Sequence, residues 1–194
     1  GLFHDRIFGD FRQKYVYGNV EGDLGRKAAN PGNWFRLALP YFDRIDLAAE
    51  YYNDNLFEGK TFADLRRAKR PFVILNATNM ATGQLFTFTQ DEFDFLGSNL
   101  DAYPVARGVA ASSAFPFLLS PITVANHPHT VDGLDEGILE AGGYDSADAA
   151  SFDKQQPPAG DYADNRVRYR FARSRLNYLD SQARPWVHLM DGGL

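Results

Sequence analysis

The order of elements in this chain predicts an α/β fold in which helices flank a central sheet. Three observations lead there. Residues 72–78 (Phe-Val-Ile-Leu-Asn-Ala-Thr) form an apolar run of strand length after a helical first third. An almost all-small helix, Val105-Ala106-Arg107-Gly108-Val109-Ala110-Ala111-Ser112-Ser113-Ala114, comes next. The chain then closes on Trp186-Val187-His188-Leu189-Met190-Asp191-Gly192-Gly193, a strand that delivers a carboxylate onto a backbone-permissive turn. In open α/β sheets, sites form at the carboxyl ends of strands. Asp191 is therefore the residue on which to expect chemistry, against the plainer reading that an Asp-Gly pair caps its own turn.

The elements are read in order from period and punctuation. Phe3, Ile7, Phe11 and Tyr15 share one helical face, read as core. Residues 22–32, with Gly, Asn and Pro clustered, read as loop. Asn33 caps a short helix that Pro40 closes, and Asp43 caps a second over residues 44–57, ended by Gly59. Thr61 opens a third, with Asp64 in its first turn. The basic group Arg66, Arg67, Lys69 and Arg70 at its end reads as a solvated, dipole-favoured terminus rather than a phosphate site.

The continuous apolar character of residues 72–78 predicts a strand covered on both faces. Residues 79–83 turn, and residues 84–89 form an antiparallel partner. Asp91 caps a brief helix. Pro104 starts the small-residue helix and Pro116 ends it. Small side chains point to close packing; Ser112 and Ser113 as nucleophiles are disfavoured because neither lies in a Gly-x-Ser-x-Gly elbow. Residues 121–125 form a third strand.

Residues 127–165 break the pattern with nine carboxylates against the lone Lys154, and read as an acidic insertion, either a lid or a mobile loop. His127 and His129 lack a third ligand at recognisable spacing, so no metal is expected. Arg166, Arg168, Arg170, Arg173 and Arg175 crowd the next ten residues, interleaved with Tyr169 and Phe171, and Tyr178 lies just beyond. Such an interleave can bind nucleic acid or anionic lipid, but the acidic neighbour favours intrachain charge balance. Residues 168–181 read as mostly helical.

Composition sets outer bounds. A length of 194 residues suits one domain with a real core, and 44% hydrophobic with 23% charged residues is ordinary for a globular chain. The net charge of −5 argues against nucleic acid as a partner. The absence of cysteine excludes disulfides, thiolate metal sites and a cysteine nucleophile. No apolar run reaches the ~18 residues of a membrane span. Without an initiator Met or signal peptide, the chain reads as an excerpt of a longer one.

Three stretches together resemble the patatin-like phospholipase family, over roughly residues 70 to 194: Ile74-Leu75-Asn76-Ala77-Thr78-Asn79-Met80-Ala81-Thr82-Gly83, Ala106-Arg107-Gly108-Val109-Ala110-Ala111-Ser112-Ser113-Ala114-Phe115-Pro116, and Asp191-Gly192-Gly193. The N-terminal helical stretch is similar to the segment after the nucleophile helix in bacterial members. The resemblance implies a three-layer sandwich with a mixed, mainly parallel central sheet, of which this chain is the C-terminal part.

It also implies a lipid acyl hydrolase with a Ser-Asp dyad and no cofactor or metal. Its partner would be a lipid or other acyl ester, with a membrane surface as one meeting place, in the bacterial cytoplasm or at the cell envelope. Asp191 would be the base and Gly192 and Gly193 its motif turn. Burial against Trp186, Leu189 and Met190 would raise the basicity of that carboxylate. The Gly-rich oxyanion loop and the Gly-x-Ser-x-Gly elbow of the family do not occur in these residues. The chain would thus carry half a dyad and be inactive alone. The alternatives are a non-catalytic lipid- or partner-binding module and an unrelated α/β domain.

Overall fold

The computed structural model describes Gln13 and residues 18–39, 42–68, 72–114, 120–143 and 166–191. The expected helix through Phe3, Ile7, Phe11 and Tyr15, the glycines of the Asp-Gly-Gly turn and residues 144–165 of the acidic insertion lie outside them.

Among the described residues the helical part begins with α1 (Val20–Ala29), α2 (Pro31–Leu37), α3 (Arg44–Tyr52) and α4 (Phe62–Arg67). The expected loop at residues 22–32 is mostly α1. Its two glycines are tolerated because Asn19 caps the helix, accepting from the Gly22 N–H at 2.9 Å. For α2 the cap is Asn30 rather than Asn33, with Pro31 in the first turn, where a missing N–H does no harm. Asp43 does cap α3, where its N–H donates to the Asp46 carboxylate at 3.1 Å. Thr61 and Asp64 repeat the device on α4 at 3.0 Å. A π-helical turn, Asn53–Phe57, finishes the second long helix, and Glu58 and Gly59 reverse the chain with positive φ.

Among the described residues the sheet holds four strands: β1 (Asn76–Asn79), β2 (Gln84–Thr87), β3 (Ile122–Ala125) and β4 (Trp186–Met190). Their order is β2-β1-β4-β3, and every adjacent pair is antiparallel. This overturns the expected mainly parallel central sheet of a three-layer sandwich. Local and non-local causes combine. A four-residue turn joins β1 to β2, and only an antiparallel neighbour can come after so short a link. β4 then enters between β1 and β3, running against both, with Thr78 opposite Met190 and Thr123 opposite His188.

Burial along the strands alternates. In β4 Val187 and Leu189 are buried while Trp186 and His188 are exposed, and in β3 Ile122 and Val124 are buried while Thr123 is exposed. The sheet therefore packs through one face, as antiparallel sheets commonly do. The apolar run at residues 72–75 is not strand: Phe72 is 83% exposed, and β1 begins only at Asn76.

Helices α5 (Gln90–Asp94) and α6 (Val105–Ser112), with a 3-10 turn Leu100–Ala102 between them, complete the covered side. The cap of α5 is Thr89 rather than Asp91. Helix α6 rests on β1, β3 and β4 and also on α3. Its small residues are what allow this: Ala106, Ala110 and Ala111 are fully buried, and a Cβ on Gly108 would meet Leu75 Cδ1 at 3.0 Å. Arg107 locks α6 to α3 through Asp46 at 2.7 Å. Beneath, Phe62, Phe86, Phe88, Phe93 and Tyr103 stack in one aromatic cluster, with ring centroids 5.3 Å apart for Phe86–Phe88 and Phe93–Tyr103.

Two more helices come next, α7 (Glu136–Ala141) and α8 (Arg166–Leu176), then a 3-10 turn Asn177–Leu179 leads to β4. α7 lies within the acidic insertion, packs on α8, and comes after the buried Leu134. This part of the insertion belongs to the core.

Gly97 ends α5 with φ +57°, and a Cβ there would lie 3.0 Å from both the His127 carbonyl oxygen and His129 Cβ. Gly97→Ala is expected to lower unfolding free energy by about 1–3 kcal/mol. Urea denaturation checks this; an unchanged midpoint would mean that the turn relaxes freely.

Candidate functional site

The site expected from the sequence lies at the carboxyl end of β4. Asp191 comes directly after Met190, beyond the last pair with β1, and is half-buried. Its N–H donates to the Ala114 carbonyl at 3.0 Å, which ties the strand end to the residue that leaves α6. Beside it Met190 pairs with Thr78 of β1. Thr78, Ala114 and Asp191, one residue from each of the three stretches that carry the family resemblance, therefore come together at the carboxyl end of β4.

The Asp191 carboxylate makes no hydrogen bond or ion pair among the described residues. The walls expected around it are present in part. Leu189 is buried, but its side chain serves the core beneath the sheet. Trp186 is 58% exposed and stands at the opposite end of β4, next to Ala125, so it gives no cover. Strand geometry explains this: five residue steps separate the two positions, about 3.3 Å each.

Ser112 and Ser113 come close to this end of the sheet without assembling a nucleophile. Ser113 Oγ donates to the Ala110 carbonyl at 3.2 Å, a bond internal to its own helix terminus. Ser112 has no carboxylate or imidazole within hydrogen-bond reach among the described residues. The other candidates are also separate. His129 Nδ1 lies 2.8 Å from the His127 carbonyl, a contact within the loop. No group of three potential metal ligands occurs among the described residues. Arg66 pairs with Asp101, and Arg67 with Asp64 at 2.8 Å; Lys69 and Arg70 lie outside the described residues.

A buried polar network under the sheet has no counterpart in the sequence motifs. Glu92 of α5 is 2% exposed and Arg175 of α8 is 5% exposed. Arg175 Nε donates to Glu92 Oε2 at 2.6 Å, Nη2 joins the same oxygen, and the guanidinium lies over the Phe171 ring at 3.5 Å. Asn79 Nδ2 donates to the Tyr178 hydroxyl at 2.8 Å. Asn126 Nδ2 donates to the carbonyls of Tyr178 and Arg184, at 2.8 and 2.9 Å, and so holds the approach to β4 against the end of β3. These partners are 52 to 99 positions apart, so no local pattern could announce them.

Burial pushes the Glu92 carboxyl up from the ordinary 4.5 to about 7, against the pull of Arg175. Burial, with the Glu92 charge, also raises the Tyr178 phenol. Because the folded chain holds the Glu92 proton longer than the unfolded chain, this group's contribution to stability is full below pH 4.5. It is lost as pH rises through about 7. Relative to Glu92→Gln, the protein is therefore expected to lose about 3 kcal/mol between pH 4 and pH 8. Paired urea titrations at the two pH values test this, and a constant difference between the two proteins would refute it.

No family model matches the chain, and neither a curated protein nor a solved structure matches it significantly.

Proposed function

We propose that this chain supplies the aspartate of a Ser-Asp dyad in a serine-dependent acyl-ester hydrolase acting on lipids, the serine coming from a segment outside these 194 residues. The activity is that implied by the resemblance to patatin-like phospholipases, and it rests on motifs and their convergence rather than on sheet architecture. The observation that carries it is the 3.0 Å bond from the Asp191 N–H to the Ala114 carbonyl. It sets a strand-end carboxylate, free of other partners among the described residues, beside the end of the Ala/Ser-rich helix.

Chemically, a half-buried carboxylate on a strand end can accept a proton from a serine hydroxyl brought against it and hold that side chain in line for attack. Backbone N–H groups for the oxyanion would come from the same outside segment. Asp191 would be a catalytic residue in that assembly, and Gly192 and Gly193 would let a second backbone approach closely.

The test is fluorophosphonate labelling of the full-length protein, with peptide mapping of the modified residue. A labelled serine outside these residues supports the dyad. A label on Ser112 or Ser113, or none at all, overturns it, and the second outcome favours a non-catalytic lipid- or partner-binding module.

A further inference from the structure

The five arginines of residues 166–175 were expected to balance charge within the chain, and Arg175 does so with Glu92. Arg168 reaches a neutral acceptor, the Gly137 carbonyl at 3.5 Å. Arg170 is exposed and has no ion pair among the described residues. Together with Arg173, Gln84 and Ser174 it lines a cavity of about 430 Å³ between α8 and the β1–β2 hairpin.

Thr82 and Asn177 close one side of this cavity and also line a second, of about 390 Å³, which Arg184, His188 and Tyr178 border. The two cavities therefore adjoin at this shared wall, and together they form a groove-like stretch of surface from α8 past the hairpin turn to the start of β4. Among the described residues no Asp or Glu lines either part, although the chain has 25 acidic residues against 20 Lys and Arg.

Arg184 is the decisive residue. Its Nη1 is shut off from solvent and has no hydrogen-bond partner among the described residues, and the side chain has no ion pair there. The residue is only partly buried, so the other guanidinium nitrogens are left to meet an acceptor from the groove. Its backbone is held rigidly, since the Arg184 N–H donates to the Asp180 carbonyl at 2.9 Å and its own carbonyl accepts from Asn126. An arginine fork on a held backbone, a hydroxyl, an amide and a second arginine, with no Asp or Glu among the described lining residues, match an anion with several oxygens. A phosphoryl group meets the planar guanidinium through two oxygens at once.

We propose that this groove binds a phosphoryl group, carried either by the headgroup of an anionic lipid or by a soluble phosphate ester, with Arg184 as the anchor and Arg170 as the second cation. The site is separate from Asp191, three residues beyond His188 along β4, and does not depend on the dyad.

The experiment measures binding of the full-length protein to phosphatidylglycerol vesicles and, separately, to glycerol 3-phosphate. The protein should bind at least one probe, and Arg184→Gln should weaken that binding about tenfold or more, the loss of one charge-assisted pair. Asn177→Asp, which puts a carboxylate in the groove without touching either arginine, should weaken it similarly at an unchanged thermal midpoint. Binding to vesicles alone identifies a lipid headgroup as the source, and binding to glycerol 3-phosphate identifies a soluble ester. Absence of binding to both probes, or binding that survives both substitutions, overturns the proposal. Asp191→Asn should leave it unchanged, so failure of the dyad and failure of the groove can be told apart.

Discussion

Replacing Arg175 by methionine is expected to lower the unfolding free energy by about 3–5 kcal/mol at pH 8, because the change strands a buried carboxylate. Methionine keeps much of the packing of the arginine stem against Phe171, so the loss reports mainly on charge. Glu92 would answer by holding its proton to still higher pH, since removing the adjacent cation adds to the effect of burial. The loss should therefore shrink on acidification and approach the packing cost alone below pH 5. Replacing both residues, Arg175→Met with Glu92→Met, should restore most of the stability, as apolar substitutes for a buried pair often do. Urea denaturation of the three variants at both pH values tests the set. A pH-independent loss in Arg175→Met would show that Glu92 is not confined as its 2% exposure indicates.

Asp191→Asn in the full-length protein should cut ester hydrolysis by about a thousandfold or more, within the range by which a positioned base accelerates a reaction. The amide keeps the shape of the carboxylate and removes its ability to take a proton. The bond that ties this position to Ala114 comes from the backbone N–H and survives the change, so unfolding free energy should move by less than about 0.5 kcal/mol. A variant that stays folded and loses activity assigns the base. One that retains activity removes Asp191 from the mechanism, and one that unfolds makes it a structural residue of the strand end.

These two sites differ in how far residue order alone makes them legible. Asp191 stands out because it ends an apolar run and precedes two glycines, all within nine residues. The Glu92–Arg175 pair joins residues 83 positions apart, and each lies in a run of charged neighbours that reads as solvated surface. The arginine cluster shows both outcomes at once. Its existence is plain, but which members face an acid and which line the cavity beside the hairpin depends on where α8 lies against the hairpin. Arg184, a lone arginine before a proline, has no local signature at all.

The features legible from residue order are short-range ones. Thr61 with Asp64 and Asp43 with Asp46 announce helix starts, because a cap needs only residues within one turn. The tight turn after β1 foretells an antiparallel hairpin, and the run of small residues foretells a helix packed closely on the sheet. The direction of β4 between β1 and β3, the covering of one sheet face, and the pairing of charges across the core are settled by long-range packing alone. A strand of four residues carries too few alternations to tell one buried face from two, and strand direction depends on connections that close far from the strands themselves. Those choices are made by the core as a whole, where burial of one apolar face and the pairing of Glu92 with Arg175 must be satisfied together.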